Sequence, residues 1–187
     1  MSRLKMVSTE PEDPALRQMF DEVRARGAPL PNLYRVIGLA PPMLRAWLDF
    51  AWPLRLDAKT PRPLRELLIL RGAQVSGARD EWVHHTTMAL AAGVPQAQID
   101  ALDTWQQSPL FTPQEKAVLR LADEVTRGPA ASAECIEELR KQAFSDAEIV
   151  ELTLTACLED RGAADATAGI QKDCLQRPTR LGRVSGR

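Results

Sequence analysis

The segment from Arg65 to Gly93, RELLILRGAQVSGARDEWVHHTTMALAAG, decides the predicted fold. Its apolar residues recur at helical spacing in two runs, and Gly77 stands between the runs, where a helix stop is expected. Thr60-Pro61, just upstream, is typical of a helix start. The segment therefore predicts two helices that fold back on each other as an antiparallel hairpin. Its second helix carries His84 and His85, the only histidines of the chain.

The rest of the chain is also predicted to be helical, with no convincing strand. Residues 14–26 form a first amphipathic helix, and residues 32–55 form a short helix, a break at Pro41-Pro42 and a second helix ending near Pro53. We predict an all-α fold in a single domain spanning residues 1–187. Its basic tail, residues 176–187, is poor in apolar residues and is expected to be flexible.

The second half of the chain repeats features of the first half. Thr60-Pro61 is matched by Thr112-Pro113, and the segment PQAQIDAL from Pro95 is matched by SDAEIVEL from Ser145, at offsets of 52 and 50 residues. Two related helical hairpins packed on each other would produce this layout. Because such short patterns also arise by chance, both explanations stay open.

Composition excludes several classes of function. With 187 residues, 44% of them hydrophobic, 26% charged and a net charge of −1, the chain is typical of a globular domain and gives no basic footprint for nucleic acid or an anionic membrane surface. No signal peptide or membrane span is apparent, so a cytoplasmic location is expected. The three cysteines, Cys135, Cys157 and Cys174, are far apart, which argues against disulfides, a thiol redox motif and a zinc site.

Helix geometry separates the two histidines. At about 100° per residue, Trp82 and Ala89 lie on the packed stripe of their helix, His85 lies at its edge and His84 lies nearly opposite. Glu81 is one turn before His85 on the same side, so the two side chains can touch. The pair could equally be an ordinary surface pair of the helix.

Glu66 is the third candidate, because Leu70 and Ala73 share its helical face and draw its carboxylate toward apolar surroundings. A first-turn glutamate that faces water is the alternative interpretation.

The hairpin sequence, extended through VPQAQIDAL, resembles the core of the carboxymuconolactone decarboxylase and alkylhydroperoxidase D-like (AhpD-like) superfamily. In that pattern a glutamate precedes a histidine by nineteen residues, as Glu66 precedes His85, and an Ala-Gly pair follows, as Ala92-Gly93 does here. The similarity extends loosely over residues 14–165. It implies an AhpD-like helical bundle that assembles into trimers or hexamers. The helices RELLILRG and FAWPLRL, apolar on more than one face, independently favour a homo-oligomer.

This chain departs from the thiol peroxidases of the superfamily. Ala78 and Glu81 stand where those relatives have their C-x-x-C cysteines, and without a thiolate nucleophile a dithiol peroxidase cannot work. Asp80 replaces a residue that is aromatic in many relatives. The chain therefore resembles the cysteine-free branch, which includes the decarboxylases and keeps a glutamate and a histidine in E-x-x-x-H spacing.

The resemblance implies a cofactor-independent lyase that acts on a small unsaturated or lactone carboxylic acid, with neither a metal nor an organic cofactor. Such a decarboxylation leaves a dienolate that must be reprotonated, and His85 can carry the proton near neutral pH. Either Glu66 or Glu81 would orient His85. Candidates for binding the substrate are Trp82 and, for its carboxylate, the arginines Arg65, Arg71 and Arg79, each of which could instead be a solvated helix residue.

Two further classes of function remain open. The same residues could serve another cofactor-free isomerase or a lactone hydrolase, because the resemblance fixes a site and not a substrate. The chain could also be a non-catalytic oligomeric binding protein, in which Glu81 and His85 form a buried polar pair at a subunit interface.

Overall fold

The structure, a computed structural model, describes residues 4–27, 30–128 and 130–158, with only the backbone of Asp80. The predicted flexible tail, Cys174 and the last residues of the predicted core lie outside these ranges. Within them every regular element is a helix, which confirms the all-α prediction. The α-helices are α1 (Pro14–Arg24), α2 (Asn32–Ile37), α3 (Pro41–Leu56), α4 (Arg62–Ser76), α5 (Arg79–Ala91), α6 (Gln96–Asp100), α7 (Pro113–Arg127), α8 (Ala133–Lys141) and α9 (Asp146–Cys157), and a single 3₁₀ turn (Leu102–Thr104) follows α6.

The N-terminal helices pack as a separate layer of the core. Asp13 caps α1 by accepting hydrogen bonds from two backbone N–H groups of its first turn. The buried face of α1 packs in one apolar cluster with α2 and α3, which includes Phe20, Tyr34 and Leu48. The prediction that the second helix of this region ends near Pro53 is wrong, since α3 continues to Leu56. The ring of Pro53 is exposed while Leu54 is buried, so packing of the next turn outweighs the unfavourable proline.

Helix α4 is the centre of the bundle. All of its residues from Leu64 to Ala73 are buried, because α5, α7 and α9 pack around it. Its apolar faces are therefore covered by the chain itself, and they no longer count as a reason to expect self-association. On α3, by contrast, Phe50 and Leu56 remain 42% and 64% exposed.

The predicted hairpin is formed by α4 and α5. Gly77 ends α4 with φ +73° and ψ 21°, the left-handed conformation that glycine adopts most readily, and α5 begins two residues later. The chain reverses here, so that residues near the start of α4 meet residues in the middle of α5.

The two halves of the molecule end their second hairpin helices in the same way. Gly93 after α5 and Ala143 after α8 both have positive φ, +92° and +65°. In each half the following residue, Val94 or Phe144, is buried and donates its backbone N–H to a carbonyl five residues earlier. These matching turns are 50 residues apart, as are the sequence segments that follow them.

A buried ion pair joins α4 to α7, the first helices of the two halves. The guanidinium of Arg71 binds both carboxylate oxygens of Asp123, with an Nη2–Oδ2 distance of 3.1 Å, and Nη1 donates to the carbonyl of Leu102. Arg71 and Asp123 are separated by 52 residues, the same offset that separates the two Thr-Pro pairs.

None of the helices in the described ranges is long and apolar enough to cross a lipid bilayer.

Candidate active site

The α4–α5 hairpin brings the three predicted site residues together. His85 Nδ1 lies 2.8 Å from Glu66 Oε2, and His85 Nε2 lies 3.4 Å from Glu81 Oε2. The Glu66 side chain is completely buried, and the side chains of His85 and Glu81 are 6% and 17% exposed. A buried histidine thus stands between two carboxylates, one at each ring nitrogen.

This arrangement indicates which carboxylate orients the imidazole. Glu66 makes the shorter contact and is fully buried, so the Nδ1–H of His85 donates to Glu66 Oε2. With its proton on Nδ1, a neutral imidazole has its lone pair on Nε2. The atom that can exchange a proton is therefore Nε2, which faces Glu81.

Arg62 completes the group. One turn before Glu66 in α4, its Nη2 forms an ion pair with Glu66 Oε1, the oxygen that His85 does not use. A buried carboxylate is stable only when it is paired, and here it has a cation on one oxygen and an N–H donor on the other. Arg62 was not among the predicted site residues, although its i,i+4 spacing to Glu66 is visible in the sequence.

The pKa of Glu81 is lowered by its surroundings. Burial acts to raise this pKa, but the hydrogen bond that protonated His85 donates from Nε2 and the nearby charges of His85, His84 and Arg55 together outweigh it. Glu81 is therefore ionised at neutral pH and can stabilise an imidazolium at His85.

His84 lies on the outer face of α5 and is exposed, in contrast to His85. The two rings meet edge to face, with centroids 5.5 Å apart and an interplanar angle of 86°. The structure therefore separates the neighbouring histidines as helix geometry predicts.

Two small recesses flank the His85–Glu81 pair, with Ile69 in the wall of both. One is rich in arginine; its lining is Leu54, Arg55, Arg62, Arg65, Ile69, His85, Thr155 and Leu158. We call it the cationic recess. The other is mainly apolar; its lining is Leu68, Ile69, Gly72, Ala73, Glu81, Ala122, Thr126 and Ala156. We call it the apolar recess.

The four predicted substrate-binding residues lie in different parts of the structure. Arg65 lines the cationic recess, where its guanidinium donates to the carbonyls of Leu54 and Thr60. Arg71 lines neither recess, because its donors are taken by Asp123, Gln74 and Leu102 in the interior. Arg79 is exposed at the start of α5.

Trp82 packs against the apolar cluster around Leu67, Leu70 and Ala89 and lines neither recess. Trp82, Arg71 and Arg79 therefore do not form the walls of the recesses beside His85.

Of the two described cysteines, Cys135 is buried and Cys157 is exposed. Cys135 is buried in the core between α7, α8 and α9, and burial, with a smaller contribution from Glu124, raises the pKa of its thiol to about 11. A thiol with this pKa is protonated at neutral pH and is a poor nucleophile. No group of three or more His, Cys, Asp or Glu side chains in the described part of the chain is arranged to hold a metal ion.

Solved structures with this architecture define the fold class. A protein of unknown function from Agrobacterium tumefaciens, described as a putative antioxidant defence protein AhpD, has a TM-score of 0.64 at 24% identity, covering 77% of this chain and 96% of that one. The debrominase Bmp8, crystallised in complex with 2,3,4-tribromopyrrole, has a TM-score of 0.69 at 19% identity, covering 90% of this chain and 97% of that one. The fold is therefore AhpD-like.

Sequence comparison finds a family match over the centre of the chain. Residues 41–124, from the start of α3 through most of α7 and including Glu66, Glu81 and His85, match the carboxymuconolactone decarboxylase family. The uncharacterised protein YdfG of Bacillus subtilis (strain 168) is 28% identical over 95 residues, which are 50% of this chain and 64% of YdfG. The family match covers 84 of the 187 residues, and together with the AhpD-like fold it supports placing the chain near the carboxymuconolactone decarboxylase family.

Proposed function

We propose that this protein is a cofactor-independent lyase of the carboxymuconolactone decarboxylase type, acting on a small unsaturated or lactone carboxylic acid. The observation that carries the proposal is the position of His85, buried between Glu66 on Nδ1 and Glu81 beside Nε2. A proton carrier of this kind needs a fixed tautomer, a second ring nitrogen that can exchange a proton and a group that stabilises its charged form. The three side chains can supply all of these.

In the proposed reaction the bond between the substrate's carboxylate carbon and its neighbouring carbon breaks. CO2 leaves, and the bonding electron pair stays on the substrate as a dienolate. His85, protonated at Nε2, then transfers that proton to carbon. Glu66 holds the ring in place during the transfer, and ionised Glu81 stabilises the imidazolium before it; water then restores the proton on Nε2.

The test compares the two histidines. General acid–base groups contribute about 10²–10⁴-fold to rate, so His85→Gln should lower turnover by a factor in that range while the fold is kept. The matched control is His84→Gln, on the neighbouring exposed residue, which should change turnover little. CO2 release from a panel of unsaturated lactone carboxylates provides the assay. Equal activity of the two variants would remove His85 from the mechanism.

The same assay separates the proposal from its nearest rival. A lactone hydrolase or an isomerase using these residues would convert a member of the panel without releasing CO2, and mass spectrometry of the product would show the added water or the unchanged mass. Either product would keep the site and replace the reaction.

A further inference from the structure

We propose that the cationic recess binds the carboxylate of the substrate and that Arg62 is its principal ligand. This inference rests on the proposed function for the identity of the substrate, and it adds the residue that recognises the acid group. It also replaces Arg71 and Arg79 as candidates for that role.

The charges lining the recess favour an anion. Three arginines, Arg55, Arg62 and Arg65, line the recess together with His85. Glu66 is held by Arg62 and His85 behind this lining. A small anion is therefore stabilised electrostatically in this recess, and partial exclusion of water strengthens the interaction.

Arg65 is the buried one of these three arginines. It is only 6% exposed, and its hydrogen-bond acceptors are the neutral carbonyls of Leu54 and Thr60. Burial, and then the adjacent positive charge of Arg62, lower its pKa, while Glu66 and Glu151 offset part of that effect from a distance. Among the described residues its acceptors are carbonyls, and an anion that enters beside a buried guanidinium stabilises its charge.

Arg62 is placed to bind that anion directly. Its side chain is 31% exposed and lines the recess, while Nη2 contacts Glu66. A guanidinium carries five N–H donors in a planar fork, so the contact with Glu66 leaves donors that suit a carboxylate. A substrate held there lies in the same recess as His85, the proposed proton carrier.

The experiment uses the full-length protein with labelled histidine, and no turnover is needed. The probe is crotonate, a small unsaturated carboxylate, and the control ligand is crotonamide, its neutral isostere. NMR spectra follow the imidazole resonances of the two histidines, which are assigned with the His84→Gln variant. We expect crotonate to shift the His85 resonances saturably in the millimolar range, and we expect crotonamide at the same concentration to leave them unchanged.

Arginine variants locate the binding site. Arg62→Gln should weaken crotonate binding by about tenfold or more, because a charge-assisted hydrogen bond is lost. Arg45→Gln is the matched control, since Arg45 also pairs with a glutamate and is 37% exposed, and it should change the affinity by less than about twofold. If Arg62→Gln does not fold, Arg62→Lys takes its place and should bind more weakly than wild type because lysine lacks the planar fork.

Three results would overturn the proposal: no saturable shift with crotonate, an equal shift with crotonamide, or unchanged affinity in the Arg62 variant that folds. Each leaves the proton-transfer function untouched, because that function is tested by CO2 release in the His85 variant. Conversely, crotonate binding that depends on Arg62 would stand even if every lactone carboxylate in the panel proved inert.

Discussion

Replacing Glu66 by glutamine should destabilise the protein by about 2–3 kcal/mol. The amide oxygen of the new side chain can still accept a hydrogen bond from His85 Nδ1, but that bond loses its charge assistance, a loss of about 1 kcal/mol. The amide NH2 would also face the donors of Arg62, so the ion pair is lost. Because Arg62 is 31% exposed, water can take over part of its solvation, and we expect this contribution to be about 1–2 kcal/mol instead of the 3–5 kcal/mol of a fully buried pair.

Urea unfolding at neutral pH and fixed protein concentration measures this loss, and the melting temperature should fall by roughly 4–12 °C for a chain of this size. Glu22→Gln is the control, since Glu22 pairs with Arg45 at the surface and should contribute less than about 1 kcal/mol. A double-mutant cycle of Glu66→Gln with His85→Gln should give a coupling energy above about 1 kcal/mol. A coupling below about 0.3 kcal/mol would refute the hydrogen bond that orients the imidazole.

Three further predictions concern acid stability, the cysteines and assembly. Glu81, whose pKa is lowered in the folded state, stabilises the fold fully above its unfolded pKa of about 4.3, and the stabilisation is lost as pH falls through the folded pKa. The stability difference between wild type and Glu81→Gln, measured by urea unfolding, should therefore shrink as pH falls below about 4.3; a difference that stays unchanged from about pH 5 down to about pH 3 would contradict this. Iodoacetamide at neutral pH should modify exposed Cys157 and spare buried Cys135, as peptide mass spectrometry can check. Multi-angle light scattering should show a homo-oligomer, because Phe50 and Leu56 leave apolar surface exposed on α3; a monomer at micromolar concentration would contradict it.

The centre of the site could be predicted from the sequence because its residues lie close together along the chain, in two consecutive helices. Helical periodicity alone separates His85 from His84. Glu66, nineteen residues before His85, contacts it in the structure because the chain reverses at Gly77 between them. What periodicity could not decide was which carboxylate lies on which ring nitrogen. That depends on how closely α4 approaches α5, which is set by packing of side chains from several helices.

The arginines show where sequence reasoning fails. Arg71 is near Glu66 in sequence, but its partner Asp123 comes from α7, and a contact between distant residues leaves no local pattern. Arg55 lies on α3 and reaches the recess only because that helix continues beyond Pro53. Arg62 could have been found, since it is one helical turn before Glu66.

The ion pair between Arg71 and Asp123 bears on the history of the two halves. Its members are separated by the offset that relates the Thr-Pro starts of α4 and α7, so they occupy equivalent positions where these helices meet. If the halves arose by duplication of one hairpin, the two copies were at first identical. Identical copies would place two arginines or two aspartates face to face, and like charges in the interior repel each other. An Arg–Asp pair can form here only after the two copies have diverged in sequence. From that point the halves are no longer interchangeable, because a chain built from two first halves would bury two facing guanidinium groups.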